Sequence, residues 1–143
     1  TEENALLLFL GRGDAMDSVR EYAIKKGVAE HIVFMGSRSD TARFYQAMDL
    51  FLFPSLYEGL PIAGIEAQTA DLPCLFSDAI TSEIMITSRA VSMPLELEAA
   101  EWAKMSIALA KTSERGNVSD KIAASGYDAA DMGKRMEQIY EQR

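Results

Sequence analysis

Apolar residues fall into short unbroken runs, separated by stretches in which they recur at helical spacing. Ala5–Leu10 (ALLLFL), Ile32–Met35 (IVFM), Leu50–Phe53 (LFLF) and Pro73–Phe76 (PCLF) read as strands covered on both faces, as in a parallel sheet. A weaker strand is predicted at Ala90–Met93. The intervening patterns predict helices over Ala15–Lys26, from Ser39 or Asp40 through Met48, and over Pro61–Ala70. Asp14 is the expected N-cap of the first helix, and Gly27 its C′ glycine. Beyond Pro94 only helices are expected: Glu96–Lys111, Asn117–Ser125 and Asp128–Gln142, punctuated by Gly116 and Gly126. Met132 and Met136 sit at core spacing on the last of these. Trp102, Met105 and Leu109 are expected to dock a terminal helix on the sheet. The alternation predicts an α/β fold: one Rossmann-like, doubly wound parallel sheet with C-terminal helices.

Composition narrows the function more than the fold. A chain of 143 residues suits one domain with a real core. Its net charge of −8, from 22 acids against 14 bases, argues against nucleic acid and anionic membrane as partners. An anionic ligand must then be met by local geometry: peptide N–H groups, a helix N-terminus or a few placed arginines. Cys74 is the sole cysteine and lies in an apolar run, so an intrachain disulfide is impossible and a cytosolic setting fits. His31 alone cannot build a zinc site with one distant cysteine. No run is long and apolar enough to span a bilayer. The first residue is Thr1 and an apolar run follows at once, which suggests a piece of a longer protein. Asn117-Val118-Ser119 matches a glycosylation acceptor that a cytosolic chain would not use.

Ligands of such folds gather beyond the carboxyl ends of the strands. Three loops qualify: Gly11–Asp14, Gly36–Asp40 and Pro54–Pro61. The first resembles a dinucleotide fingerprint but has Met16 where the third glycine belongs. In the third, Pro61 suits the first turn of a helix. The N–H groups of Gly59, Leu60, Ile62 and Ala63 would then cluster at a helix N-terminus as an anion seat. Gly59 would let a ligand approach the backbone, and Gly64 would let the helix pack closely.

Glu66 is the one charged residue between Pro61 and Ala70, and no helical neighbour can pair with it. Ligand hydroxyls would satisfy it if it is covered; an exposed stripe facing water is an equal alternative. For Glu58 the simpler reading is a solvated loop acid, the others a contact to a sugar hydroxyl or the balancing of positive charge in a transition state.

The stretch "FPSLYEGLPIAGIEA" resembles the donor-site motif of retaining glycosyltransferases of the GT-B class, family 4. The Pro-Ser, Glu-Gly-x-Pro and second Glu stand in that family's order and spacing. "LLLFLGRGD", "HIVFMGSRSD", "FYQAMDLFLFPS" and "DLPCLFSDAITSE" look like its successive segments, most like those of bacterial exopolysaccharide and capsule enzymes. The resemblance implies that Glu66 holds the ribose of a nucleotide sugar, UDP-linked by expectation. Gly59, Leu60, Pro61 and Ile62 would offer backbone to the sugar and diphosphate. Glu58 would touch the transferred sugar near the reacting centre, as the catalytic candidate. Gly36, Ser37 and Arg38 would lie along the base.

Transfer in this class looks like a front-face displacement that needs no protein base, no metal and no other cofactor. The acceptor, a glycan or lipid-linked sugar, would be met by an N-terminal domain not included in these residues. The family's diphosphate-gripping Arg and Lys also belong to a strand and loop upstream of Thr1. Residues 1–143 are therefore expected to be a C-terminal donor-binding domain, inactive alone, from a cytoplasmic protein peripheral to the inner face of the cell membrane. Two departures stand out: Asp71 replaces a glycine before the fourth strand, and Ile80-Thr81 replaces a glycine pair. A non-catalytic, nucleotide-binding Rossmann-like interaction domain is the alternative. A receiver-like signalling domain would need acids clustered at the ends of the first and third strands, where glycine-rich and Pro-Ser loops stand instead.

Overall fold

The computed structural model describes residues 4–112 and 114–141. The chain forms two compact units, Thr1–Thr41 and Ala42–Arg143. In the first, β1 (Leu7–Leu10), α1 (Met16–Lys26), a 3-10 turn (Ala29–His31) and β2 (Ile32–Gly36) follow one another. The strands pair in parallel, Leu7 opposite Ile32 and Phe9 opposite Phe34, with a register shift that sets Leu10 against Gly36. The Phe9 and Phe34 rings stack with centroids 5.1 Å apart, and Arg20 of α1 lays its guanidinium 4.0 Å above Phe34. That cation–π contact holds the helix to the strand.

Gly27 ends α1 in the left-handed region at φ 69°, with Val28 N–H returning to Ala23 C=O, the closure expected of a C′ glycine. Asp14, however, does not cap α1. Ala15 holds that position with no side-chain bond, because Met16 N–H closes a turn onto Gly13 C=O and leaves Asp14 inside the turn. Nor is β1 covered on both faces: it alternates exposed and half-buried positions, as expected for a strand with one partner in its unit.

The second unit contains nearly all of α2 (Thr41–Ala47), then β3 (Phe51–Phe53), α3 (Ile62–Thr69), β4 (Cys74–Ser77) and a 3-10 turn (Ser82–Ile84). β5 (Ala90–Met93), α4 (Ala99–Ala110), α5 (Ser119–Ala124) and α6 (Ala129–Glu141) complete it. Its sheet runs β3-β4-β5, all parallel, with Phe51 opposite Cys74 and Cys74 opposite Ala90. All four residues of the central strand β4 are buried, as its apolar run predicted. On the edge strand β3, Leu52 is exposed, so the expectation of a fully covered strand fails there.

Both faces of this sheet are packed. On one, Tyr45, Ala67, Leu72, Phe76 and Ile84 form a core; on the other, Leu75 and Met93 meet Trp102, Met105 and Leu109. The predicted docking of Trp102 is thus observed, with its indole N–H donating to Pro94 C=O at 3.1 Å. A Cβ on Gly64 would fall 2.9 Å from the Phe76 ring, so glycine sets how closely α3 approaches β4. Met132 and Met136 are not core residues. They are 49% and 47% exposed, on a helix α6 that buries none of its residues. The apolar stripe they share with Ile139 and Tyr140 faces away from the protein's own core. Helix α6 is described to Glu141; Gln142, the last residue of the predicted helix, lies outside the described residues.

Cys74 is fully buried, its thiol donating to Leu72 C=O at 3.2 Å. Burial pushes the thiol up to about 12, with Arg89 opposing and Asp71 adding to the rise. The unfolded thiol, ordinarily near 9.0, loses its proton first. The unfolded state then binds fewer protons, so stability is intact below pH 9 and falls as pH rises towards 12. At pH 10 the expected loss is on the order of 1 kcal/mol. Urea unfolding at pH 8 and pH 10 checks it: a Cys74→Ala variant should lose less stability between the two by that amount, and an equal loss would refute the assignment.

Candidate functional site

The loop leaving β3 is pinned at both ends and free between them. Ser77 of β4 donates its hydroxyl to Ser55 C=O at 2.5 Å, and Ser55 Oγ donates to Tyr57 C=O at 3.1 Å. At the far end Leu60 packs against the core and Pro61 is buried. Leu56 and Tyr57 lie between, each 84% exposed, with Glu58 and Gly59 also at the surface.

Pro61 is the N-cap of α3, at φ −73° and ψ 110°, so the helix begins at Ile62, one residue after the expected start. Its C=O accepts from Gly64 N–H at 3.0 Å and Ile65 N–H at 3.4 Å. The N–H groups of Ile62 and Ala63 precede these bonds and donate to no protein acceptor among the described residues. A Cβ on Gly59 would meet nothing within 4 Å, so space beside the loop is open. Gly59, Leu60, Pro61 and Ile62 therefore stand together at a helix N-terminus, whose dipole favours an anion.

Glu66 is exposed, contrary to the covered carboxylate considered from sequence. The buried stripe of α3 is Gly64, Ala67 and Gln68, and Glu66 lies off it. It nonetheless has a donor: the Tyr45 hydroxyl reaches Glu66 Oε2 at 3.1 Å. Burial, joined by the Glu66 charge, pushes the phenol up to about 12.

Arg115 holds the end of α2, donating to Tyr45 C=O at 2.8 Å and also to Met48 C=O. Neither Tyr45 nor Arg115 was singled out from sequence. The pairs are 21 and 70 residues apart, beyond any local spacing rule. Gln68 was missed too, although a glutamine one turn after Gly64 on a buried stripe is a recognisable signal. Thr81 accepts Glu83 N–H at 3.4 Å and so caps the following turn, while Ile80 beside it is buried.

Gly36, Ser37 and Arg38 belong to the first unit. Gly36, at φ 66°, accepts Gly11 N–H at 2.9 Å, so the two loops following β1 and β2 are tied there. Arg38 forks onto Asp40 with two bonds of 2.8 Å, and this pairing raises the guanidinium further above its ordinary value. A shallow hollow of about 220 Å³ lies beside Gly11–Gly13, lined mainly by Phe9, Met16, Val19 and Phe34. Among the described residues no three His, Cys, Asp or Glu side chains come together as a metal site.

Parallel strands joined through helices define a Rossmann-like α/β fold, here that of the GT-B glycosyltransferases. The lipopolysaccharide outer core galactosyltransferase WaaB superposes with a TM-score of 0.70 over 96% of this chain and 41% of its own, at 16% identity. WaaG, a glycosyltransferase involved in lipopolysaccharide biosynthesis, gives 0.64 over 85% and 32%, at 23% identity. The family model "Glycosyl transferases group 1" matches residues 1–112, and the chain belongs to that family. The putative glycosyltransferase EpsF of Bacillus subtilis (strain 168) is 31% identical over 128 residues, 86% of this chain and 33% of that protein. An Escherichia coli UDP-Gal:alpha-D-GlcNAc-diphosphoundecaprenol alpha-1,3-galactosyltransferase is 27% identical over 95 residues, 66% of this chain and 24% of that protein. The chain thus spans a third or less of the length of these curated relatives. Among the described residues no helix is long and apolar enough to cross a membrane.

Proposed function

We propose that this chain is the donor-binding half of a retaining glycosyltransferase of bacterial polysaccharide assembly. Its reaction moves a sugar from a nucleotide diphosphate to a glycan or lipid-linked acceptor. The observation that carries this reading is the β3–α3 junction: N–H groups of Ile62 and Ala63 without protein acceptors, open space at Gly59, and Glu58 and Glu66 on either side. The main chain of Gly59, Leu60, Pro61 and Ile62 receives the donor sugar and diphosphate. Glu66 accepts from the ribose hydroxyls, Glu58 contacts the transferred sugar, and Gly36, Ser37 and Arg38 follow the base. The E. coli relative is named for a UDP-sugar, which favours a UDP-linked donor here.

Retention follows from displacement on one face. The bond from the anomeric carbon to the diphosphate breaks, the bond to the acceptor oxygen forms on the same side, and the acceptor proton passes to the leaving diphosphate. No side-chain base, metal or other cofactor enters that step. An acceptor on a lipid carrier calls for a cytoplasmic enzyme at the inner face of the cell membrane.

Between Arg43 and Arg89 the sequence has no Lys, Arg or His, so the candidate loop brings no cation of its own to a diphosphate. Residues 1–143 alone should then bind donor weakly and transfer nothing. Calorimetric titration with UDP, GDP and ADP is expected to favour UDP, and Glu66→Ala to weaken it about tenfold. An unchanged affinity would remove the ribose role of Glu66, and sugar transfer by these residues alone would remove the claim about missing cations.

A further inference from the structure

We infer that Tyr45 is a positioning residue of the donor site: the hydroxyl of this buried residue holds the Glu66 carboxylate ready for the vicinal hydroxyls of a ribose. This rests on the role proposed above for Glu66. The bond of 3.1 Å runs from the phenol to Oε2, joining the last turn of α2 to the middle of α3.

The donor is rigid. Tyr45 is a buried member of the core, its ring edge-on to Phe51 with centroids 5.9 Å apart. Its own C=O accepts from Arg115, which also bonds Met48 C=O and so fixes the turn that carries the ring.

The acceptor is not rigid by itself. An exposed glutamate has three rotatable bonds, and fixing it on binding costs rotamer entropy. The phenol settles that ordering during folding, which leaves more of the contact energy for the ligand. The carboxylate also keeps room for one. A carboxylate offers about four lone-pair sites; Tyr45 uses one on Oε2, and Oε1 is left for two hydroxyl donors. The raised phenol stays protonated, and therefore a donor, throughout neutral pH.

Calorimetry with UDP and with 2′,3′-dideoxy-UDP separates positioning from a general structural role. Tyr45→Phe keeps the ring and removes the hydroxyl. It is expected to weaken UDP about three- to tenfold while leaving dideoxy-UDP within about twofold of the unsubstituted chain. The double variant Tyr45→Phe with Glu66→Ala should bind UDP no more weakly than Glu66→Ala alone. Wild-type UDP affinity in Tyr45→Phe, with loss in Glu66→Ala, would overturn the inference and leave the ribose role standing. No loss in Glu66→Ala would overturn both. An equal loss for UDP and dideoxy-UDP in Tyr45→Phe would reduce Tyr45 to a structural residue.

Discussion

Replacing Gln68 with leucine is expected to cost about 4 kcal/mol of folding stability, because the change strips partners from several buried groups at once. Gln68 is fully buried, and every polar atom of its amide is used. Nε2 donates to Gly64 C=O at 3.1 Å and to Ile84 C=O at 2.7 Å. Oε1 accepts from Ile86 N–H at 3.1 Å, Thr87 N–H at 3.0 Å and the Thr87 hydroxyl at 3.3 Å. One side chain on α3 thus satisfies the irregular backbone between the Ser82–Ile84 turn and β5. Leucine fills similar space but leaves the Thr87 N–H and hydroxyl without partners, at about 1–3 kcal/mol each, and leaves Ile86 N–H and Ile84 C=O only their bond to each other at 2.9 Å. Urea unfolding should show a lower midpoint at unchanged slope, and melting should fall by roughly 10 °C. A loss below about 1.5 kcal/mol would mean that the strap finds other donors and acceptors, and that the amide is not its organiser. Gln68 sits on the same helix whose first turn is the candidate anion seat, so a loosened α3 should weaken donor binding as well.

The elements were legible where one local rule was enough. The run Pro73–Phe76 names a buried central strand, and the glycine after Lys26 names a helix end. Gly64 was expected to allow close packing, and a Cβ there would fall 2.9 Å from the Phe76 ring. Other errors come from neighbours that a pattern does not contain. The runs around β1 and β3 look identical to that of β4, yet those strands have a single partner within their units and expose alternate side chains. Met132 and Met136 have core spacing, but an amphipathic stripe specifies a periodicity and not an occupant. In the candidate site, the loop and helix start were legible because Gly, Pro and Glu stand close together in sequence. Tyr45, Gln68 and Arg115 act across the fold, and only packing reveals them.

Arg89→Met is the second change with a large expected effect, about 3 kcal/mol of lost stability. Asp71 turns the corner before β4 at φ 50°, the one non-glycine residue with positive φ among those described, as its place in a glycine position required. It is buried, and its Oδ2 accepts Gly116 N–H at 2.6 Å. Its Oδ1 lies 3.9 Å from Arg89 Nε, too far for a hydrogen bond but close enough for charge pairing. That Nε is buried and makes no hydrogen bond, while the other guanidinium nitrogens donate to Glu114 C=O at 2.8 Å and to Thr112 C=O. Methionine keeps the stem but leaves the Asp71 charge with one neutral donor, and returns the carbonyls of the exposed Thr112 and Glu114 to water. Removing one member of a fully buried pair costs about 3–5 kcal/mol; the 20% exposure of the Arg89 side chain favours the lower figure. Asp71→Gly supplies the control. It relaxes the left-handed strain and removes the stranded carboxylate, so the double variant should be more stable than the sum of the singles by about 1–2 kcal/mol. Strict additivity, or a loss below about 1 kcal/mol in Arg89→Met, would show that the pair behaves as an exposed one. The consequence also reaches the site. Arg89 anchors the residues flanking Arg115, and Arg115 holds the turn of Tyr45. Arg89→Met should therefore weaken UDP more than 2′,3′-dideoxy-UDP, in the same sense as Tyr45→Phe.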